Sequence, residues 1–176
     1  QILTKGQVYQ SSDSELAMGQ IKKGYIKRYM IRNDGTYGIL SLYGPGNIFP
    51  LAAAYKVLLH KELQTDQIVY YYEAVTDVEL YKIDNQTLKE SVEADPLLYR
   101  DLLIVSGERF ELYIQRLENV SLPIFYKRVA HQLVYLARHF GVVKNNKTTM
   151  AVALTQQDIA DILSATRETV SLSFRE

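Results

Sequence analysis

The chain has 176 residues, 47% hydrophobic and 23% charged, with Lys plus Arg and Asp plus Glu at 20 each. This composition is globular rather than disordered, the length fits one large domain or two small ones, and the zero net charge by itself points to neither a nucleic-acid nor an acidic partner. The lack of cysteine excludes disulfides, a thiolate-held iron–sulfur cluster and a cysteine-based zinc site, and no apolar run approaches the ~20 residues of a membrane span.

The first ~90 residues read as short strands separated by turns. Gly6, Asp13, Gly24, Asn33-Asp34-Gly35 and Gly44-Pro45-Gly46 interrupt the chain at intervals suited to an antiparallel sandwich or barrel. Between them lie Tyr25 to Ile31 and Tyr37 to Leu42, joined by Asn33-Asp34-Gly35, a strong hairpin signal. A second strand pair, Ile68 to Glu73 and Val78 to Ile83, flanks Thr76-Asp77, and its Tyr70, Tyr71 and Tyr72 suit a half-buried pleated surface.

From Asp84 the texture becomes helical. Asp84 to Glu90 reads as a capped short helix, and Asp95-Pro96 as an N-cap followed by proline in the first turn. The long helix that follows runs to about Val120, roughly 36 Å at ~1.5 Å per residue. One stripe carries Leu103, Phe110 and Leu117, interleaved with Tyr99, Ser106, Tyr113 and Val120, while another face carries Leu98, Leu102, Val105 and Leu112. A helix apolar on two faces needs two partners. One face can cover the β-domain. The other, centred on Leu103, Phe110, Tyr113, Leu117 and Val120, can meet a second copy, since the helix is too long for so small a sheet to cover; the other reading is a buried helix of a monomeric domain. After Pro123, a helix from Ile124 to Phe140 is expected, with Val129, Leu133, Leu136 and Phe140 on one face and Gly141 as its stop. Residues 144–149 read as a polar turn and Met150 to Leu154 as a short strand.

The last 22 residues carry most of the chemistry. Thr155 with Asp158 forms the pattern of a capping box. Ile159, Ile162 and Leu163 supply an apolar face, and Ala160 is small enough for a second helix to cross closely. Ser164-Ala165 is a turn, Thr166 caps the next helix, and Val170 faces inward. This is the pattern of a helix-turn-helix, whose second helix enters a DNA major groove. That helix opens with Arg167, which can pair bidentately with guanine, and Glu168, which can accept from cytosine. Thr155, Gln156, Thr166, Thr169 and Ser171 stand where phosphates or base edges are reached. The charge distribution agrees weakly: residues 1–122 hold 13 basic and 16 acidic side chains, a balance of −3, and residues 123–176 hold 7 and 4, a balance of +3.

With these segments in view, the chain resembles the CRP/FNR family of bacterial transcription regulators, the family of the catabolite activator protein. The resemblance spans essentially the whole sequence. Its most specific part is Leu154-Thr-Gln-Gln-Asp-Ile-Ala-Asp-Ile-Leu followed by Thr166-Arg-Glu-Thr-Val-Ser171; Lys5-Gly-Gln-Val-Tyr9, Gly24-Tyr-Ile-Lys27 and Gly44-Pro-Gly-Asn-Ile-Phe49 also match. It implies an α+β chain: an N-terminal antiparallel β-roll sensor over 1–94, a dimerisation helix over 95–122, and a winged helix-turn-helix over 123–176. The wing is expected beyond residue 176, and both ends of the natural protein are expected to extend past Gln1 and Glu176. It further implies a cytoplasmic homodimer on a pseudo-palindromic operator, with double-stranded DNA and RNA polymerase as partners, no membrane, and an effector in the roll. An enzyme is not expected, because no nucleophile–base pair, metal-ligand cluster or phosphate-cradling loop is evident. The alternative is a ligand-sensing or protein-interaction module without sequence-specific DNA binding.

Three departures from the family pattern matter. Leu172 stands where an arginine usually follows Ser171, so the third base contact is lost or moved. Ser164 stands where glycine is common. The segment Gly46 to Ala52 lacks the glutamate, and Gln67 to Glu73 the arginine, with which relatives hold a cyclic nucleotide, so no cyclic nucleotide is expected at the usual site. No cofactor is expected: His60, His131 and His139 are isolated candidates for a haem ligand. The effector is unidentified. The Tyr-rich roll, through Tyr43, Phe49, Leu51, Tyr55, Tyr70 and Tyr72, offers either a site for a small apolar or aromatic molecule or a filled core.

Overall fold

A computed structural model describes residues 1–10, 18–52, 54–55 and 69–176. Of the positions named above, Asp13, His60, Gln67 and Ile68 lie outside the described residues. The N-terminal part is two four-stranded antiparallel sheets facing each other. One orders β1 (Ile2–Leu3), β8 (Val78–Ile83), β3 (Met18–Lys23) and β6 (Ile48–Phe49). The other orders β2 (Val8–Gln10), β7 (Tyr70–Ala74), β4 (Ile26–Ile31) and β5 (Tyr37–Tyr43). The hairpin at Asn33-Asp34-Gly35 joins β4 to β5 with Ile31 opposite Tyr37, and Asp34 Oδ1 accepts from the Thr36 amide at 2.9 Å. Gly24, at φ +90°, begins the turn into β4; a Cβ there would lie 2.2 Å from the Asp77 carbonyl oxygen, so only glycine fits.

The two sheets enclose a core of Leu3, Ile21, Ile26, Tyr43, Phe49, Tyr72, Ala74, Val78 and Leu80. Period-two alternation sends Ile26 and Arg28 of β4 to this inner side. The same alternation turns Tyr29 to the outer side, where it joins the core of the C-terminal part, and the register shift beside it leaves Leu40 of β5 as the extra residue.

Helix α1 spans Asn85–Ala94, capped by Asp84, whose carboxylate accepts from the Thr87 amide. Those hydrogen bonds hold the Asp84 carboxyl below its usual range. Helix α2 covers Leu97–Ser121, one residue later than expected at its start: Pro96 takes the cap position, and Asp95 still accepts from the Leu97 amide at 3.0 Å. Leu98 and Leu102 of α2 pack with Leu88, Val92 and Ala54. Ser106 belongs to this inward side, accepting from the Tyr55 hydroxyl, and not to the outward stripe on which the heptad reading put it.

Helix α3 covers Phe125–Phe140 and buries Val129, Gln132, Leu136 and Phe140. Leu133 is exposed, and Gln132 takes its expected place on the inner face, hydrogen-bonded to Asn119 of α2. The inner face advances by three, four and four residues from Val129, a spacing that passes over position 133. Gly141 ends α3 because a Cβ there would lie 2.2 Å from the Ala137 carbonyl, with no left-handed backbone involved.

The polar stretch after Gly141 is not a turn followed by a strand at Met150. It is a hairpin, β9 (Gly141–Lys144) paired with β10 (Lys147–Met150), turning on Asn145 and Asn146 at φ 51° and 58°. Asparagine tolerates that left-handed pair, and the flanking Val and Thr residues favour strand. Helices α4 (Gln156–Leu163) and α5 (Arg167–Ser173) follow.

Candidate nucleic-acid interface

The α4–α5 pair is built as a helix-turn-helix from the residues upward. Thr155 Oγ1 accepts from the Asp158 amide at 3.1 Å, and Asp158 Oδ2 accepts from the Thr155 amide at 2.7 Å, which closes a capping box. Ile159, Ala160, Ile162 and Leu163 are buried, and Ala160 has no exposed surface, which lets α5 cross at close range. Ser164 takes the left-handed conformation, φ 53°, that glycine usually supplies at a helix end. Thr166 Oγ1 accepts from the Thr169 amide at 3.2 Å and starts α5. Val170 is fully buried and anchors α5 to the core.

This arrangement leaves one edge outward. Arg167, Glu168 and Thr169, on the first turn of α5, are all exposed, as are Thr155 and Thr166; Gln156 and Ser171 are half-buried beside them. Leu172 is also exposed and offers no polar group. Thr169 Oγ1 lies 2.9 Å from Thr166 Oγ1, so its hydroxyl is partly engaged within the helix start.

The helix-turn-helix is tied to the β-sheet domain by two arginines that sequence reasoning did not single out. Arg116 of α2 donates to the carbonyls of Leu40 and Ile39 on β5, the latter at 2.7 Å, and to Ile162 at 2.9 Å. The Ile162 carbonyl lies in the last turn of α4, where carbonyls lack helical partners and a cation is favoured. Arg32, at the end of β4, donates to Ser164 Oγ at 2.8 Å and to the Tyr37 carbonyl at 2.6 Å. Tyr29, Ile39 and Leu42 share one apolar core with Val129, Leu136, Ile159, Ile162 and Val170. Burial opposes the Arg116 charge and lowers its pKa. Arg116→Met is therefore expected to loosen this seam. Amide exchange in α4 should quicken by roughly ten- to a hundredfold, corresponding to about 1.5–3 kcal/mol, while exchange in β3 and β8 stays unchanged.

Of the residues expected at a self-interface, Leu103, Phe110, Leu117 and Val120 lie on the outer side of α2, the first three 71%, 61% and 62% exposed, whereas Tyr113 lines the cavity facing the roll. Of the residues expected around an effector, Phe49 is buried in the roll core against Tyr43 and Tyr72. Tyr72 and Leu51 line a cavity of about 290 Å³ between the roll and α2, and Tyr70 lies under the Arg28 guanidinium at 3.9 Å. His139 packs tilted against Tyr135, ring centroids 4.6 Å apart, and His131 lines a smaller cavity beside Arg116. Among the described residues no cluster of His, Cys, Asp and Glu is placed to hold a metal, and no helix is long and apolar enough to cross a membrane.

Comparison with known proteins agrees with this geometry. Residues 127–176 match the model of the Crp-like helix-turn-helix domain. A CRP-like cAMP-activated global transcriptional regulator of Mycobacterium tuberculosis is 26% identical over 138 residues, 78% of this chain and 58% of that protein's length. The chain thus spans somewhat more than half of the curated relative it matches. Among solved structures, a CRP/FNR-family transcriptional regulator of Thermus thermophilus superposes with a TM-score of 0.73 at 20% identity, covering 99% of this chain and 83% of that one. FixK2 of Bradyrhizobium japonicum gives 0.74 at 20% identity, with 99% and 81% covered. At such identities these two likenesses establish the fold alone. Residues 127–176 thus match a Crp-like helix-turn-helix domain, and the chain as a whole has the fold of solved CRP/FNR-family regulators.

Proposed function

We propose that the protein is a DNA-binding transcription regulator that acts as a homodimer on a pseudo-palindromic operator. In this reading residues 1–94 form the sensor, 95–122 the dimerisation helix and 123–176 the reader. One observation carries it: Arg167, Glu168 and Thr169 are exposed together on the first turn of α5, while Val170 of the same turn is locked in the core. A helix held that way presents its N-terminal edge to base pairs. Arg167 takes guanine O6 and N7, and Glu168 accepts from cytosine N4. Thr155, Gln156, Thr166, Thr169 and Ser171 set the register on phosphates. With Leu172 on the exposed side of α5, no third base contact comes from that position.

The outward stripe of α2 meets its twin, which sets the two α5 helices about one DNA turn apart. RNA polymerase is the further partner, and the cytoplasm the setting. The relatives are regulators, and the protein is read as one rather than as an enzyme. The mycobacterial relative is named as cAMP-activated. This chain lacks the glutamate and the arginine with which such relatives hold the nucleotide at the usual positions, so its effector is a different molecule. Fluorescence anisotropy with random-sequence duplex DNA tests the DNA reading. Log affinity should fall with log salt at a slope of about −0.9 per phosphate contacted. Affinity that does not change with salt would instead support a protein-interaction module.

A further inference from the structure

The cavity between the roll and α2 carries an electrostatic imbalance. Its walls include Arg28 from β4 and Arg109 from α2, together with Tyr43, Tyr55, Tyr72 and Tyr113. No carboxylate lines it among the described residues. The ion pairs found among the described residues, Lys22–Glu79, Lys27–Glu73, Lys89–Glu93 and Arg100–Asp101, involve neither arginine. The Arg28 Nε is buried, and no hydrogen-bond acceptor reaches it among the described residues.

A cation removed from water is costly unless an opposite charge or a full set of acceptors meets it. Here the compensation is aromatic. The Arg28 guanidinium lies 3.9 Å from the Tyr70 ring centroid, and that of Arg109 lies 4.6 Å from Tyr43. Such contacts offset part of the cost and leave the donors directed edgewise. The tyrosines do not neutralise the pair. Burial pushes the Tyr43 and Tyr72 hydroxyls above their usual range, so both stay protonated and add donors rather than charge.

We propose that this cavity binds a small aromatic carboxylate, its anionic end between Arg28 and Arg109 and its ring against Tyr43 and Tyr72. A carboxylate accepts bidentately from a guanidinium, which is the interaction the Arg28 Nε lacks. The volume of about 290 Å³ suits one ring with a short acidic arm, at the low end of ligand pockets. The remaining lining is Ser106 and the apolar Leu51, Ala52 and Phe110. The ligand would touch β4, β7 and α2 at once, and so join the roll to the helix that carries Arg116 and the outward stripe. This assignment rests on reading the roll as a sensor and names the class of molecule it senses.

Calorimetry of the full chain without DNA tests it, so that failure here leaves the DNA reading untouched. The probes are benzoate and phenylacetate, with benzamide as the neutral counterpart, acetate as the anion without a ring, and cAMP. Benzoate or phenylacetate should bind at micromolar to low-millimolar concentration, with benzamide, acetate and cAMP at least about tenfold weaker. Arg28→Met and Arg109→Met should each weaken the aromatic anion by about tenfold or more, the loss expected when one charge-assisted partner is removed. Arg28→Lys should retain part of the affinity. Far-ultraviolet circular dichroism identifies any variant that fails to fold, and the second arginine then carries the test. Benzamide binding as tightly as benzoate, cAMP binding more tightly than either acid, or no heat with any aromatic acid would overturn the proposal.

Discussion

A chain carrying Arg167→Ala and Glu168→Ala is expected to bind its operator no better than random duplex DNA, while remaining folded and dimeric. Each side chain is exposed on α5 and neither is paired in an ion bridge with another described residue, so their removal disturbs no packing. A bidentate base contact is worth about 1–3 kcal/mol of discrimination. Two half-sites with two contacts each therefore account for a discrimination of several orders of magnitude. Phosphate contacts from the neighbouring threonines persist, so non-specific affinity should fall by at most one salt-sensitive charge per reader with Arg167→Ala, while Glu168→Ala, which removes a carboxylate that phosphates repel, should leave it unchanged or slightly raised. Gel shifts with operator and scrambled duplexes, run beside sedimentation equilibrium, read both effects. An unchanged operator preference would remove the base-reading role from this edge.

The second large effect concerns α2. Phe110→Glu together with Leu117→Glu is expected to give a monomer. Both side chains are more than half exposed in the single chain, so charging them does not disturb its own core. In a self-interface, by contrast, the introduced carboxylates would face their own copies across a two-fold axis, buried and like-charged. Operator affinity should then drop at least about a hundredfold, because one reader no longer places the second at high effective concentration. Sedimentation velocity and anisotropy on the same sample check this. A variant that stays dimeric would show that another surface pairs the chains.

Much of the architecture is legible in the residues because local signals and burial agree. Asn33-Asp34-Gly35 turns where two β-rich runs end, Asp84 and Thr155 cap the helices they precede, and Val170 recurs on the side that α4 covers. The β9–β10 hairpin was hidden by its polarity. Lys144, Asn145, Asn146 and Lys147 read as loop, yet Val142 and Val143 on one side and Thr148 and Thr149 on the other are β-branched, which is the signal that identifies it. Gln132 carries no inward signal because polar residues are expected outside, whereas here Asn119 meets it across α2 and α3.

The arginines are a different kind of omission. Arg116 reaches carbonyls 76 and 46 residues away in sequence. No periodicity encodes a side chain whose partners are backbone atoms of two other elements. Arg28 was more accessible to reasoning. In a strand whose neighbour on the same face is the fully buried Ile26, a guanidinium at an inward position is anomalous. The family pattern places the cation on the strand that carries Tyr70 to Tyr72, whereas here the cations come from β4 and α2.

Selection of bound sequences from random duplex DNA by the full chain addresses the reading role most directly. The account predicts an enriched pseudo-palindrome with half-sites about 10 base pairs apart, centre to centre, whose G·C positions lose their preference when Arg167→Ala is substituted. A pool that stays unenriched through repeated rounds, or an enriched motif that Arg167→Ala leaves intact, would contradict it.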